Sequence, residues 1–146
     1  MKKNIVYLIL LLFVSSFVTG QSTTQITDNK NDINKWISSN FRKGAAPPFS
    51  FVYGGKHSGT FIKHWSYSVK TIKENDPSII RRIYSYRDPA SGLTVECEVK
   101  GFTDYNAVEW VLRFINTGNK NTAEISSVNA SDVTFAYKEN GDFKLH

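Results

Sequence analysis

The stretch Leu93-Thr94-Val95-Glu96-Cys97-Glu98-Val99-Lys100 alternates without a break. Leu93, Val95, Cys97 and Val99 fall on one side of an extended chain, and Thr94, Glu96, Glu98 and Lys100 fall on the other. Successive side chains of a β-strand point to opposite faces, so this pattern describes a strand with one face in a core and the other in water. The chain before it reads the same way. Ile79–Arg87 is a strand bounded by Asn75-Asp76-Pro77 and by Asp88-Pro89-Ala90-Ser91-Gly92, and that second turn joins it to Leu93 as an antiparallel hairpin. Ala107–Ile115 follows, with Val108, Trp110, Leu112 and Phe114 opposite Glu109 and Arg113.

Working outward, the period of two persists at both ends. Upstream, Phe49, Phe51 and Tyr53 alternate with Ser50 and Val52, and Gly54-Gly55 closes the strand. In Thr60–Lys70, Phe61, Trp65, Tyr67 and Val69 share a side with Lys63, while Ile62, His64, Ser66 and Ser68 take the other. Downstream, Thr117-Gly118-Asn119-Lys120-Asn121 is a turn, and shorter strands are expected over Thr122–Val128, Val133–Tyr137 and Phe143–His146, the last after the turn Glu139-Asn140-Gly141-Asp142. Six to eight alternating strands separated by turns specify an all-β fold, an antiparallel β-sandwich or open barrel. A short helix precedes it. Asp32 is the expected N-cap, Ile33, Trp36 and Ile37 recur at helical spacing on one face, and Gly44 with Pro47-Pro48 ends it. Trp36 is expected to pin this helix to the body of the domain.

The chain has 146 residues, of which 40% are hydrophobic, and carries three Trp, seven Tyr and ten Phe, enough apolar surface for a packed core. One domain fits this length, whereas a (β/α)8 barrel needs roughly 200 residues or more. A disulfide scaffold is excluded because Cys97 is the sole cysteine, and its place on the apolar side of its strand reads as core.

The first twenty residues read as an export signal. Lys2 and Lys3 precede an apolar run from Ile5 to Val14, and Val18-Thr19-Gly20 puts small residues where a peptidase would cut before Gln21. The run is shorter than the roughly 20 residues that span hydrocarbon. Residues 21–31 read as a flexible lead-in, and 32–146 as the sandwich. Removing Lys2 and Lys3 leaves 16 basic against 13 acidic residues, so the net charge falls from +5 to +3. Export places the mature chain in the periplasm or outside the cell, with no membrane partner once the signal is removed. Phe143-Lys144-Leu145-His146 reads as a strand just entered, the expectation for a piece of something longer with an open sheet edge.

The residues offer little catalytic chemistry. Glu96 and Glu98 lie on one strand side, roughly 7 Å apart at about 3.3 Å per residue, whereas a glycosidase pair must flank its sugar from two sides. No catalytic residue is therefore expected. There is no G-x-S-x-G elbow, no phosphate-cradling glycine loop, and no zinc spacing among His57, His64 and His146, so neither a metal nor a cofactor is expected. Lys56, Lys63, Lys70, Lys73, Arg81, Arg82 and Arg87 make one segment basic. Half-exposed strands carry such residues for solubility, and an exported protein seldom meets nucleic acid, which is not expected as a partner. The aromatics remain. Trp110, between Val108 and Leu112, reads as core, while Trp65, Tyr67, Tyr84 and Tyr86 are candidate carbohydrate-binding residues, with core packing as the alternative.

Several stretches together resemble a family. Ile33-Asn34-Lys35-Trp36, Pro47-Pro48-Phe49-Ser50-Phe51-Val52-Tyr53-Gly54-Gly55-Lys56, Trp65, the hairpin Tyr86 to Cys97, Asp104-Tyr105-Asn106-Ala107-Val108-Glu109-Trp110 and Phe114 to Gly118 look like the N-terminal β-sandwich of melibiase-type α-galactosidases, glycoside hydrolase family 36. Asn106 stands where that pattern has proline. The resemblance implies a supersandwich-like domain, incomplete here, that packs on a (β/α)8 barrel carrying two catalytic aspartates. No position in this chain matches either aspartate motif. The expected function is thus a non-catalytic domain of an exported α-galactosidase-like enzyme, truncated or a fragment, with the parent's barrel as partner. A galactoside-containing carbohydrate and a homo-oligomer formed through the sandwich are further candidate partners. The alternative is a free-standing carbohydrate-binding module.

Overall fold

The computed structural model describes residues 22–133 and shows two antiparallel sheets packed together, with one helix. The element order is α1 (Ser22–Asn40), β1 (Ser50–Tyr53), β2 (Lys56–His57), β3 (Ser66–Ile72), β4 (Ile79–Arg87), β5 (Leu93–Phe102), β6 (Ala107–Asn116) and β7 (Ile125–Asn129). The expected signal segment, and the last two expected strands apart from Val133, lie outside the described residues.

The larger sheet has the order β3-β4-β5-β6 and the smaller β2-β1-β7. The alternation at Leu93–Lys100 becomes burial alternation on β5, where Leu93, Val95, Cys97 and Val99 are at most 1% exposed. Residues directly opposite in an antiparallel pair share a face. Val95 therefore shares its face with Tyr86 and Phe114, and Cys97 with Tyr84 and Leu112. Both covering layers lie on this inner face. The smaller sheet lays Phe51 against Phe114, with ring centroids 5.2 Å apart, and Phe49 against Tyr86 at 5.9 Å. The helix lays Phe41 flat on Tyr84 at 4.8 Å. Gly101 lets the helix come close: a Cβ there would stand 2.5 Å from a methyl of Ile33 and 2.9 Å from Ile37.

Turn chemistry holds the hairpin in register. The Asp88 carboxylate accepts from the Ala90 N–H at 3.0 Å and from the Ser91 hydroxyl, while Gly92 takes φ 78°, a conformation open chiefly to glycine. Tyr53 donates its hydroxyl to Ser91 at 2.8 Å, which ties β1 to this turn.

Two expectations are corrected. Thr60–Trp65 is not strand: residues 58–60 and 62–64 form two 3-10 turns, and β3 starts only at Ser66. The His57 carbonyl accepts from Thr60 and its ring nitrogen Nδ1 from the Gly59 N–H. Ile62 is 1% exposed beside Trp65 at 9%, so both bury on one side where a strand would have opposed them. The helix also begins ten residues before Asp32, which lies inside it and not at its N-cap, and residues 22–31 are helical rather than a flexible lead-in. No glycine or proline interrupts Ser22–Asn40, and the docked Ile33 and Ile37 stabilise the helix beyond what its Ser, Thr and Asn content favours.

Candidate functional site

Of the four residues singled out as a carbohydrate platform, the three tyrosines come together and Trp65 packs in a neighbouring ring cluster; all but half-buried Tyr67 are inside the protein. Tyr84 and Tyr86 are 3% and 2% exposed and Trp65 is 9%. Trp65 stacks on Phe61 at 5.1 Å and meets Phe51 and Tyr53 at steep angles. Tyr67 is half-buried over Tyr86, at 5.4 Å, and donates its hydroxyl to the Phe41 carbonyl at 2.6 Å. The reason is register: Tyr67↔Tyr86 and Tyr84↔Cys97 are opposed pairs, so all three tyrosines inherit the inner face of Cys97. Their rings pack against Phe41, Phe49 and one another, and the core alternative describes them. Burial pushes the Tyr67 and Tyr86 hydroxyls upward in pKa. The Tyr86 hydroxyl is buried with no hydrogen-bond partner among the described residues. Cys97 is fully buried, and burial pushes its thiol up to about 12, which leaves almost no thiolate near neutrality.

The carboxylates stand on the other face. Glu98 accepts from Arg81 at 2.6 Å and from Arg113 at 2.7 Å, and Arg81 also reaches Glu74 at 3.1 Å. The bonds from Arg113 and Arg81 hold the Glu98 carboxyl below its ordinary value. A carboxylate held between two guanidiniums is a poor proton donor at neutral pH. Lys100 and Glu109 pair beside this ladder at 3.4 Å. Among the described residues no three His, Cys, Asp or Glu side chains gather to hold a metal ion. No helix among them is long and apolar enough to cross a membrane.

A second aromatic group pairs two rings that the sequence signals only separately. Trp36, on α1, and Trp110, on β6, stack with centroids 6.0 Å apart and planes 27° from parallel. Both are only partly buried. Fully buried Phe41 meets each at a steep angle, 6.5 Å and 6.1 Å away. The Trp110 indole N–H donates to the Ala130 carbonyl, which fixes the ring. Above the pair lies a groove of about 450 Å³, with Ile33, Val108 and Val133 as apolar wall and Asp32, Asn106 and Ser131 as polar lining. Asn106 sits at φ 49° in the β5–β6 turn, next to Tyr105, whose ring is 82% exposed. The helical spacing of Trp36 and the outward Glu109 and Val111 neighbours of Trp110 signal each ring separately; only the fold pairs them.

Smaller clefts lie elsewhere on the surface. One of about 250 Å³ lies between the Pro47-Pro48 segment, His57 and Asp132. Another of about 230 Å³ lies beside Arg82, which donates to Asn34 and Ser38 and so clamps the helix to the sheet margin. Lys63, Lys70 and Lys73 are exposed along or near the edge of β3 that pairs with no strand among the described residues, where charge discourages edge-to-edge pairing. No protein family, curated protein or solved structure matches the chain.

Proposed function

We propose that the chain is the non-catalytic N-terminal β-sandwich of an exported α-galactosidase-like glycoside hydrolase. The observation that carries this reading is where the family-like stretches fall. Pro47–Lys56 forms β1 with its closing turn, Tyr86–Cys97 the β4–β5 hairpin, and Asp104–Trp110 the β5–β6 turn with the start of β6. These stretches form strands and turns of the two packed sheets, which supports reading them as parts of one sandwich domain. The arginine-held Glu98 supports the non-catalytic part, since its carboxylate is engaged in joining β4, β5 and β6.

In this reading the parent's barrel supplies both aspartates and the sugar chemistry, and the sandwich supplies a rigid surface for the barrel or for a second copy. The basic, apolar N-terminal segment supports export to the periplasm or beyond. The test is the coding sequence downstream of His146. The reading expects an in-frame barrel bearing the two aspartates, whereas an intact gene that ends without one contradicts it.

A further inference from the structure

We infer that β6 pairs antiparallel with β6 of a second copy of this chain, centred on Val111. Among the described residues β6 is bonded on one side only, to β5, and it forms one edge of the larger sheet. An edge strand presents a row of backbone N–H and C=O groups to any strand that fits, and proteins guard such edges with charge. The other edge is guarded in this way: β3 carries one charged residue, Lys70, with Lys63 and Lys73 beyond its ends. On β6 the charges have a different order. Its outer face reads Glu109, Val111, Arg113, an acid and a base on either side of a valine that is 54% exposed.

That order is its own complement. In an antiparallel pair related by a two-fold axis, the residue two places before the centre faces the one two places after it. Val111 therefore meets the partner's Val111, Glu109 meets the partner's Arg113, and Arg113 meets the partner's Glu109. Within the chain, Glu109 lies opposite Lys100 and Arg113 opposite Glu96. One row across the join then reads Lys100, Glu109, the partner's Arg113 and the partner's Glu96, alternating in sign over four strands. The register is selective. A slip of two places either way keeps the faces matched but sets Glu109 and Arg113 opposite Ala107, Val111 or Ile115 of the partner subunit. Both charged side chains remain available, since their pairs with Lys100 and Glu98 leave them 57% and 49% exposed. This inference deepens the second-copy part of the proposed function and rests on the sandwich alone, so a monomeric chain would overturn it and leave the downstream coding test as it stands.

The test is sedimentation velocity of the purified chain over a concentration series, with circular dichroism to confirm that each variant is folded. A monomer–dimer equilibrium is expected. Glu109→Arg and Arg113→Glu each set like charges opposite one another at two places per dimer, and each should weaken it about tenfold. Mixing these two single variants should restore the dimer, because opposite signs then face across the join. The double reversal, Glu109→Arg with Arg113→Glu in one chain, should restore it as well. A role confined to either side chain's own sheet gives no rescue on mixing. Val111→Lys, at an exposed position, puts two like charges at the centre and should abolish the dimer. The inference is overturned if the unaltered chain stays monomeric, whether the β6 edge is left to water or taken by residues 134–146. It is equally overturned if the single reversals and Val111→Lys dimerise as the unaltered chain does, or if mixing restores nothing.

Discussion

The chain builds two aromatic groups from similar residues and covers them to different degrees. Trp65, Tyr84 and Tyr86, with Phe49 and Phe51, close the space between the sheets, and none is more than 9% exposed. Trp36 and Trp110 flank the same core through Phe41 yet keep part of each ring toward a groove. The difference lies in what covers them. The first group is closed over by the smaller sheet and by Phe41, whereas the second lies at the seam where the helix meets β6. An aromatic cluster in a sequence is thus a statement about packing until the covering layer is known.

Substitutions that discriminate between the groups sharpen this contrast. The largest effect is expected from Phe51→Ala: the ring is fully buried against Phe61, Trp65 and Phe114, so denaturant melts should register a loss of about 3–5 kcal/mol. Trp36→Ala should cost only about 1–2 kcal/mol, since part of the indole never leaves water. Equal losses at the two sites would erase the distinction. Next comes Glu98, on the outer face. Its carboxyl is held low in the fold, so its contribution is complete above the ordinary glutamate value near 4.3 and drains as pH falls through the lower folded value. Glu98→Gln should lose about 1 kcal/mol at neutral pH and show a shallower acid decline below the ordinary glutamate value near 4.3, read by urea midpoints. A variant with an unchanged acid limb would remove the ladder from the account. Smallest is Tyr86→Phe, which deletes a buried hydroxyl lacking a partner among the described residues and should gain up to about 1 kcal/mol.

Much of the architecture was legible because strand alternation is a local signal. Ile79–Arg87 begins and ends where Pro77 and Pro89 indicated, and the inner face of β5 matches its apolar residues one by one. The turns at Phe61-Ile62 were not legible, since two adjacent apolar residues fit a strand buried on both faces as well as a tight turn. Tyr84 and Tyr86 share a strand face with Arg82, and nothing local told which way that face turned. Register with Cys97 decided it. The groove was hidden for a stronger reason. Trp36 and Trp110 lie on different elements far apart in the chain, and their stacking depends on how closely Gly101 lets the helix approach the sheet.

The contrast between the closed and the open aromatic group is tested most directly by hydroxyl-radical footprinting of the native chain, with oxidation read residue by residue by mass spectrometry. Tyr105 should react fastest, Trp36 and Trp110 clearly, and Trp65, Tyr84 and Tyr86 hardly at all until the protein is unfolded. Oxidation of Trp65 or Tyr86 at the rate of Trp36 in the folded chain would contradict the account.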